Sequence, residues 1–166
     1  MVANCKNWVV HYRRPQKARI ELLHQLIGLW ELERQVIAST GTQIVCMNGI
    51  ARFAPIEGDI SRYYEEGTLE TSDGTQPSIS FSRRYLYCAE PNGLVIFFDE
   101  TPRRLFQRFT TIKTGDGWEG AAEHACAPDT YRSLYRFELP HGFAITHHVE
   151  GPRKAYTIIT NYRRCI

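Results

Sequence analysis

Arg83 is the residue whose position most directly suggests chemistry. In a strand, alternate residues point to the same face, and Arg83 shares a face with three aromatic residues: Phe81, Tyr85 and Tyr87. If this face points inward, the guanidinium cannot lose its charge and needs an acceptor. That acceptor is either Glu65, in the preceding predicted strand, or an anionic ligand. In the opposite register, Arg84 would point inward instead.

The run from His124 to Asp129 supplies an imidazole, a thiol and a carboxylate within six residues. On a strand, His124 and Cys126 point the same way, as two metal ligands could. A zinc site needs four ligands, however, and the chain has no second pair at a known spacing. We therefore predict no metal site. His124 is expected to be a hydrogen-bonded buried residue or a ligand contact.

His147 shares a predicted face with Phe143, Ile145 and Val149, so it is expected to point into the core. A histidine in that position is most often a core residue satisfied by a hydrogen bond. The alternatives are a contact to a small ligand and a haem ligand. For acid/base catalysis, His124 or His147 would have to lie within hydrogen-bonding distance of Asp129, a tyrosine or a substrate.

The turn Gly151-Pro152-Arg153-Lys154 places two cations beside Tyr156, which is predicted to face inward together with Tyr131. Arg153 could screen a carboxylate or phosphate at a cavity rim, or could belong to a solvated basic turn. The chain has no Gly-x-Ser-x-Gly motif, phosphate loop or dinucleotide fingerprint, so hydrolase, kinase and dehydrogenase activities lack support. Catalytic residues and a cofactor cannot be assigned from these residues.

The elements that must hold these side chains are mostly strands. A helical pattern follows Pro15 and ends at Gly28, where the period changes to two. About ten short strands follow, joined by turns rich in Gly, Pro, Asn and Asp, which is typical of an antiparallel sandwich or barrel. A closed barrel requires the first strand, which contains Trp30, to pair with the last, from Ala155 to Arg164.

The order of these elements resembles the calycin superfamily of lipocalins and fatty-acid-binding proteins, and in particular a family of small uncharacterised calycin-like domains. The matching segments are Gly28-x-Trp30, Ser82-Arg83-Arg84-Tyr85, His124-x-Cys126-x-x-Asp129-x-Tyr131 and Val149-Glu150-Gly151-Pro152-Arg153-Lys154-x-Tyr156. The resemblance implies an all-β, up-and-down antiparallel barrel of roughly 8–10 strands, with a short N-terminal helix and a central cavity. It also implies that Trp30 closes the floor and that Arg163 or Arg164 stacks on it.

The length of the chain and the lack of a linker or repeat predict one domain, and with the implied barrel this gives a barrel domain over residues 15–166, preceded by a basic arm over residues 1–14. Residues 1–20 hold five bases and no acid, and the remaining chain has a net charge of −3. The arm is either a solvated segment or a targeting signal, and the dispersed later bases argue against nucleic-acid binding. No apolar run could span a membrane. Five scattered cysteines indicate free thiols inside the cell, in the cytoplasm or, with a targeting arm, in mitochondria.

These observations favour an intracellular binding protein for an amphipathic, anionic small molecule. Its polar end would contact a set of seven residues: Arg83, Tyr85, His124, Tyr131, His147, Arg153 and Tyr156. Two alternatives remain at this stage. One is an isomerase, cyclase or lyase that uses a histidine as acid/base, and the other is a scaffold subunit whose barrel is filled by its own side chains. The volume of the cavity separates the scaffold from the other two.

Overall fold

The computed structural model describes residues 17–166, in which one helix is followed by ten antiparallel strands. The elements are α1 (Lys17–Leu26), β1 (Gly28–Ala38), β2 (Gln43–Pro55), β3 (Ile60–Thr71), β4 (Ile79–Glu90), β5 (Gly93–Phe98), β6 (Leu105–Thr114), β7 (Gly117–Cys126), β8 (Asp129–Glu138), β9 (Gly142–Gly151) and β10 (Lys154–Arg164). Each strand pairs with the next, and β1 pairs with β10 to close the barrel. The predicted up-and-down barrel with a short helix is confirmed. The predicted basic arm and Pro15 lie outside the described residues.

The alternation of β1 shows why these residues form a barrel wall. Trp30, Leu32 and Arg34 are buried, whereas Glu31 and Glu33 between them are exposed. One face therefore packs inside and the other meets solvent, as period two requires. The same alternation recurs in strands such as β3 and β8. β5 and Leu86 of β4 are buried on the outer face as well.

Gly49 of β2 lies at a close approach of two strands. The register of β1 and β2 shifts at Val36/Ile37 and not at Gly49. Gly49 lies opposite Gly67 of β3, and a Cβ at Gly49 would collide with the carbonyl oxygen of Glu66. Glycine is needed here because the backbones touch.

The end of the barrel next to α1 is closed by apolar side chains, with Trp30 at its centre. The buried residues Leu22, Leu23 and Leu26 of α1 cover this end. Trp30 is fully buried, and its Nε1 donates to the carbonyl oxygen of Leu26 at 2.8 Å. The tryptophan thus joins the helix to the barrel by packing and by a hydrogen bond.

Arg164, not Arg163, is the arginine that lies over Trp30. Its guanidinium carbon is 4.1 Å from the centre of the indole ring. It also donates to the carbonyl oxygens of Ile27 at 3.0 Å and of Gln25, which places a cation at the C-terminal end of α1, where the helix dipole favours it. Arg163 points outward, and its side chain is 77% exposed, with Nη2 3.9 Å from Glu31 Oε2.

Within residues 17–166, no helix combines the length and the apolar character needed to cross a membrane. The cysteines at positions 46, 88, 126 and 165 are free thiols.

Candidate functional site

The half of the barrel away from α1 encloses a cavity of about 280 Å³. Its walls are mainly aromatic, since Tyr85 stacks on Phe106 at 5.0 Å between ring centroids and Phe98 meets Phe106 edge-on at 5.2 Å. The other half of the barrel is filled by its own rings, such as Phe137 and Phe143, which stack at 5.9 Å. The interior is therefore divided into a packed half and a hollow half.

A buried ion pair between Arg34 and Glu65 lines the inner part of the cavity. Arg34 donates from Nη1 to Glu65 Oε1 and from Nη2 to Glu65 Oε2, both at 2.8 Å, and from Nε to Thr160 Oγ1 at 2.8 Å. The Tyr63 hydroxyl donates to Glu65 Oε2 and lies 2.9 Å from the Tyr162 hydroxyl. The two charges are thus bidentate and hydrogen-bonded on their remaining sides, as a stable buried pair requires.

Both members of this pair stay charged. Burial alone would raise the pKa of Glu65, but hydrogen bonds and the charge of Arg34, with a further hydrogen bond from Tyr63, lower the pKa instead. Burial likewise opposes the charge of Arg34, yet the hydrogen bonds and charge of Glu65 outweigh it and raise the pKa of the guanidinium. Because the pair satisfies itself, Glu65 has little left to offer a ligand.

Arg83 is not the buried arginine that its sequence pattern predicted. It does line the cavity, but its side chain is 46% exposed and its Nε lies 3.8 Å from Glu65 Oε1, beyond hydrogen-bonding length. Position 83 lies at the open end, where solvent reaches the guanidinium. The buried arginine is instead Arg34 of β1, which is 5% exposed. Arg84 points outward, over the ring of Tyr64 at 5.5 Å.

A hydrogen-bonded chain of three side chains holds His147 at the cavity wall. Tyr135 donates its hydroxyl hydrogen to Gln107 Oε1, and Gln107 Nε2 donates to Ser133 Oγ. Ser133 Oγ lies 2.6 Å from His147 Nδ1. His147 Nδ1 is the one acceptor described for the serine hydroxyl, so the arrangement that uses the serine hydrogen directs it to Nδ1, and the neutral imidazole then carries its hydrogen on Nε2. The cavity is thereby offered an N–H donor.

The neutral form of His147 is favoured by its surroundings. Burial, followed by the positive charges of Arg34 and Arg83, lowers the pKa of His147 from 6.5 to about 4. At neutral pH the imidazole is uncharged and acts as a donor without adding charge to the cavity. Sequence reasoning placed His147 correctly on the inward face but missed Gln107 and Ser133, because isolated polar residues at inward positions were not singled out.

This lowered pKa predicts a pH-dependent stability. Between pH 6.5 and about 4, unfolding allows His147 to take up a proton that it cannot hold when folded, so stability should fall as the pH falls, by up to roughly 3 kcal/mol. Denaturant unfolding at several pH values in this range, for wild type and His147→Gln, measures the difference in slope. His148→Gln is the matched control, because His148 is exposed. Equal slopes for wild type and His147→Gln would contradict the assignment.

The structure brings together most of the other residues predicted for a site. His124, Tyr131 and Tyr156 line the cavity, and burial and then Tyr156 raise the pKa of Tyr131. Arg153 is the exception, because it is exposed in its turn and does not line the cavity. The neighbouring Lys154 pairs instead with Asp129, at 2.8 Å. Lys154 of this turn therefore forms an ion pair within the fold, whereas Arg153 is exposed to solvent.

His124 and Cys126 both line the cavity, as their shared face predicted. Among residues 17–166, no group of three His, Cys, Asp or Glu side chains is placed to hold a metal ion. The ring of His124 packs against Phe106 at 5.5 Å and Tyr131 at 6.4 Å. Aromatic packing is therefore what positions His124.

Comparison with known proteins identifies a family and two similar folds. A family model described as a family of unknown function (DUF6314) matches residues 26–164. The S-type phycobiliprotein lyase CPES from Guillardia theta is similar with a TM-score of 0.63 and 10% identity, over 88% of this chain and 92% of that one. Rv2717c from M. tuberculosis is similar with a TM-score of 0.63 and 12% identity, over 89% and 98%. No curated protein sequence matches the chain. At these low identities, the similarity shows only that each of the two structures has the same fold as this chain.

Proposed function

We propose that this chain, which belongs to the DUF6314 family, is an intracellular binding protein for an amphipathic, anionic small molecule held in the barrel cavity. The proposal rests above all on the combination of an aromatic-walled cavity with a half-exposed cation, Arg83, at its mouth. The carboxylate 3.8 Å from Arg83, that of Glu65, already accepts two hydrogen bonds from Arg34. We further infer that residues 15–166 are a single calycin-like domain. The free thiols at the described cysteines support a reducing compartment.

The charges of the cavity wall favour an anion. Arg34 and Glu65 cancel each other, and His147 is neutral, so Arg83 provides the net positive charge. Arg83 can offer several N–H donors to an oxyanion, and His147 can offer one more. The aromatic walls suit a flat apolar body. We expect the polar end of the ligand to lie at Arg83, with its body between Tyr85, Tyr131 and Tyr156.

The geometry gives less support to the catalytic alternative. Among the described residues, His147 bonds to Ser133 and Asp129 pairs with Lys154, so neither candidate histidine has a carboxylate or tyrosine partner, and a bound substrate would have to take that place. The scaffold alternative requires a barrel filled throughout, whereas half of this one is hollow. The binding function is therefore the one that the site supports best.

A pair of matched aromatic ligands tests this proposal. Wild type should bind 2-naphthoate more tightly than the uncharged, equally sized 2-naphthamide. Arg83→Met should weaken binding of the naphthoate by roughly 10- to 100-fold, the usual value of a charged hydrogen bond, and should leave the naphthamide unaffected. Isothermal titration calorimetry measures all four affinities. Because Arg83 is half exposed, we expect the variant to keep its stability.

Arg52→Met is the control, because Arg52 is exposed on the outer face of β2 and does not line the cavity. It should bind both compounds as wild type does. Equal losses for naphthoate and naphthamide in Arg83→Met would show that the substitution damages the cavity rather than removing a charge contact. No loss for either compound would contradict the proposed role of Arg83.

A further inference from the structure

The wall of the barrel is interrupted beside the cavity, between β6 and β7. These strands pair only from Thr111↔Gly120 to Thr114↔Gly117. Residues 105–110 pair with β5 on their other side, and residues 121–126 pair with β8. Over this length, the closed ladder of the barrel therefore has two strand edges that face each other without backbone pairing.

Aromatic side chains fill the gap in place of backbone hydrogen bonds. The ring of Phe109 lies over Gly120, where an added Cβ would be 2.5 Å from Phe109 Cδ2, and it stacks on Tyr135 at 4.1 Å. Nearer the open end, Phe106 of β6 meets His124 of β7. A partition made of side chains can rearrange by a change of rotamer, without breaking the ladder on either side.

A groove lies against the outside of this gap, with a volume of about 860 Å³. Its lining includes Phe109 of the gap, Gly120 at the edge of the gap, and the strongly exposed apolar residues Ile112 (66%) and Leu134 (53%). Tyr135 lines both the groove and the inner cavity, so one layer of side chains separates the two spaces.

The charges around the groove are neutralised. Arg108 pairs with Glu90 at 3.0 Å, and Arg136 pairs with Glu119 at 3.2 Å. The groove thus presents apolar surface between two ion pairs and no unbalanced charge of its own. Such a surface suits an uncharged, apolar occupant rather than an anionic head.

We propose that the gap between β6 and β7 is a side opening of the cavity, and that the groove binds the apolar tail of a ligand whose anionic head lies at Arg83. The inference rests on the proposed function and adds the shape of the ligand. A cavity of about 280 Å³ would hold the head and the first part of the body, and the remainder would leave through the gap when Phe109 turns aside. The ligand class is therefore an elongated amphiphile with a terminal acid group.

Hydrogen exchange measured by NMR tests the gap without any ligand. The amide of Thr111 donates to Asn92 next to β5, so by alternation the amide of Phe109 faces β5 and that of Arg108 faces the gap. The same alternation directs Glu123 to the gap and His124 to β8. We expect Arg108 and Glu123 to exchange roughly 100-fold faster than Phe109 and His124, or more. Similar protection at all four amides would overturn the side opening.

A series of straight-chain carboxylates, from hexanoate to tetradecanoate, tests the groove. By calorimetry, affinity should rise about fourfold per methylene across the whole series. Leu134→Lys should weaken binding of tetradecanoate about tenfold or more and leave hexanoate unchanged. Ile50→Lys is the control, since Ile50 is similarly exposed (44%) but lies on the outer face of β2.

The outcomes separate the two proposals. An affinity that stops rising once the cavity is full, or an equal effect of Leu134→Lys and Ile50→Lys, would overturn the groove while leaving the cavity as the binding site. If neither these carboxylates nor 2-naphthoate bind, the proposed function itself is wrong, and the inference about the tail is overturned with it.

Discussion

Replacing Glu65 with alanine should lower the free energy of unfolding by about 3–5 kcal/mol, because it leaves the guanidinium of Arg34 buried without its partner. Both side chains are almost fully buried, and both oxygens of Glu65 are hydrogen-bonded. Denaturant unfolding followed by circular dichroism measures the change. Glu66→Ala is the control one residue along the same strand, where the carboxylate is exposed and accepts a hydrogen bond from the Tyr64 hydroxyl. It should cost less than about 1 kcal/mol.

A double variant distinguishes a stranded charge from a general loss of packing. Arg34→Met combined with Glu65→Leu removes both charges and keeps much of the volume, so it should recover most of the stability lost in Glu65→Ala. If the double variant were as unstable as the sum of the two single variants, the stranded charge would not be the cause. A loss for Glu65→Ala no larger than that for Glu66→Ala would contradict the buried pair itself.

Trp30→Ala should also cost roughly 3–5 kcal/mol, the usual range for a large buried aromatic residue. The substitution removes the packing of the floor, the donor to the Leu26 carbonyl and the surface on which Arg164 lies. A thermal melt together with denaturant unfolding reports the loss. Trp118→Ala provides the comparison, because Trp118 is only partly buried and its described cation contact is to Lys113 at 5.8 Å.

We expect the loss for Trp118→Ala to be clearly smaller, at about 1–2 kcal/mol. An unchanged melting temperature for Trp30→Ala would contradict its place at the centre of the floor. Equal losses for the two tryptophans would show that burial at Trp30 adds nothing beyond the removal of an indole ring.

The barrel could be predicted because the sequence features that indicate it, alternation within strands and turn residues between them, are local. In a strand such as β1, every second residue points inward, as Trp30, Leu32 and Arg34 do. The turns between strands are indicated by Gly, Pro, Asn or Asp. The closing pair of β1 and β10 followed from the requirement that the two end strands meet. The same logic placed His147, Tyr131 and Tyr156 on one inner surface.

The partners of the polar residues could not be predicted in this way. Arg34 and Glu65 meet across two strand pairings, and which of two inward arginines is buried depends on how deep each position lies along the barrel. Alternation gives the face of a residue but not its depth. Gln107 and Ser133 likewise become significant only when pairing brings them beside His147. The gap between β6 and β7 depends on strands that diverge, which no local pattern reports.

The most direct test of a binding cavity is to locate a bound probe by methyl NMR. Ile145 and Ile158 line the cavity, whereas Ile50 and Ile56 are exposed outside it. On titration with 2-naphthoate, we expect saturable shifts of the Ile145 and Ile158 methyl signals at a one-to-one ratio, caused by the ring current of the bound naphthalene. The methyl signals of Ile50 and Ile56 should stay in place. Shifts at the outer isoleucines without shifts at Ile145 and Ile158, or no saturable shift at all, would contradict binding of an aromatic anion inside the barrel.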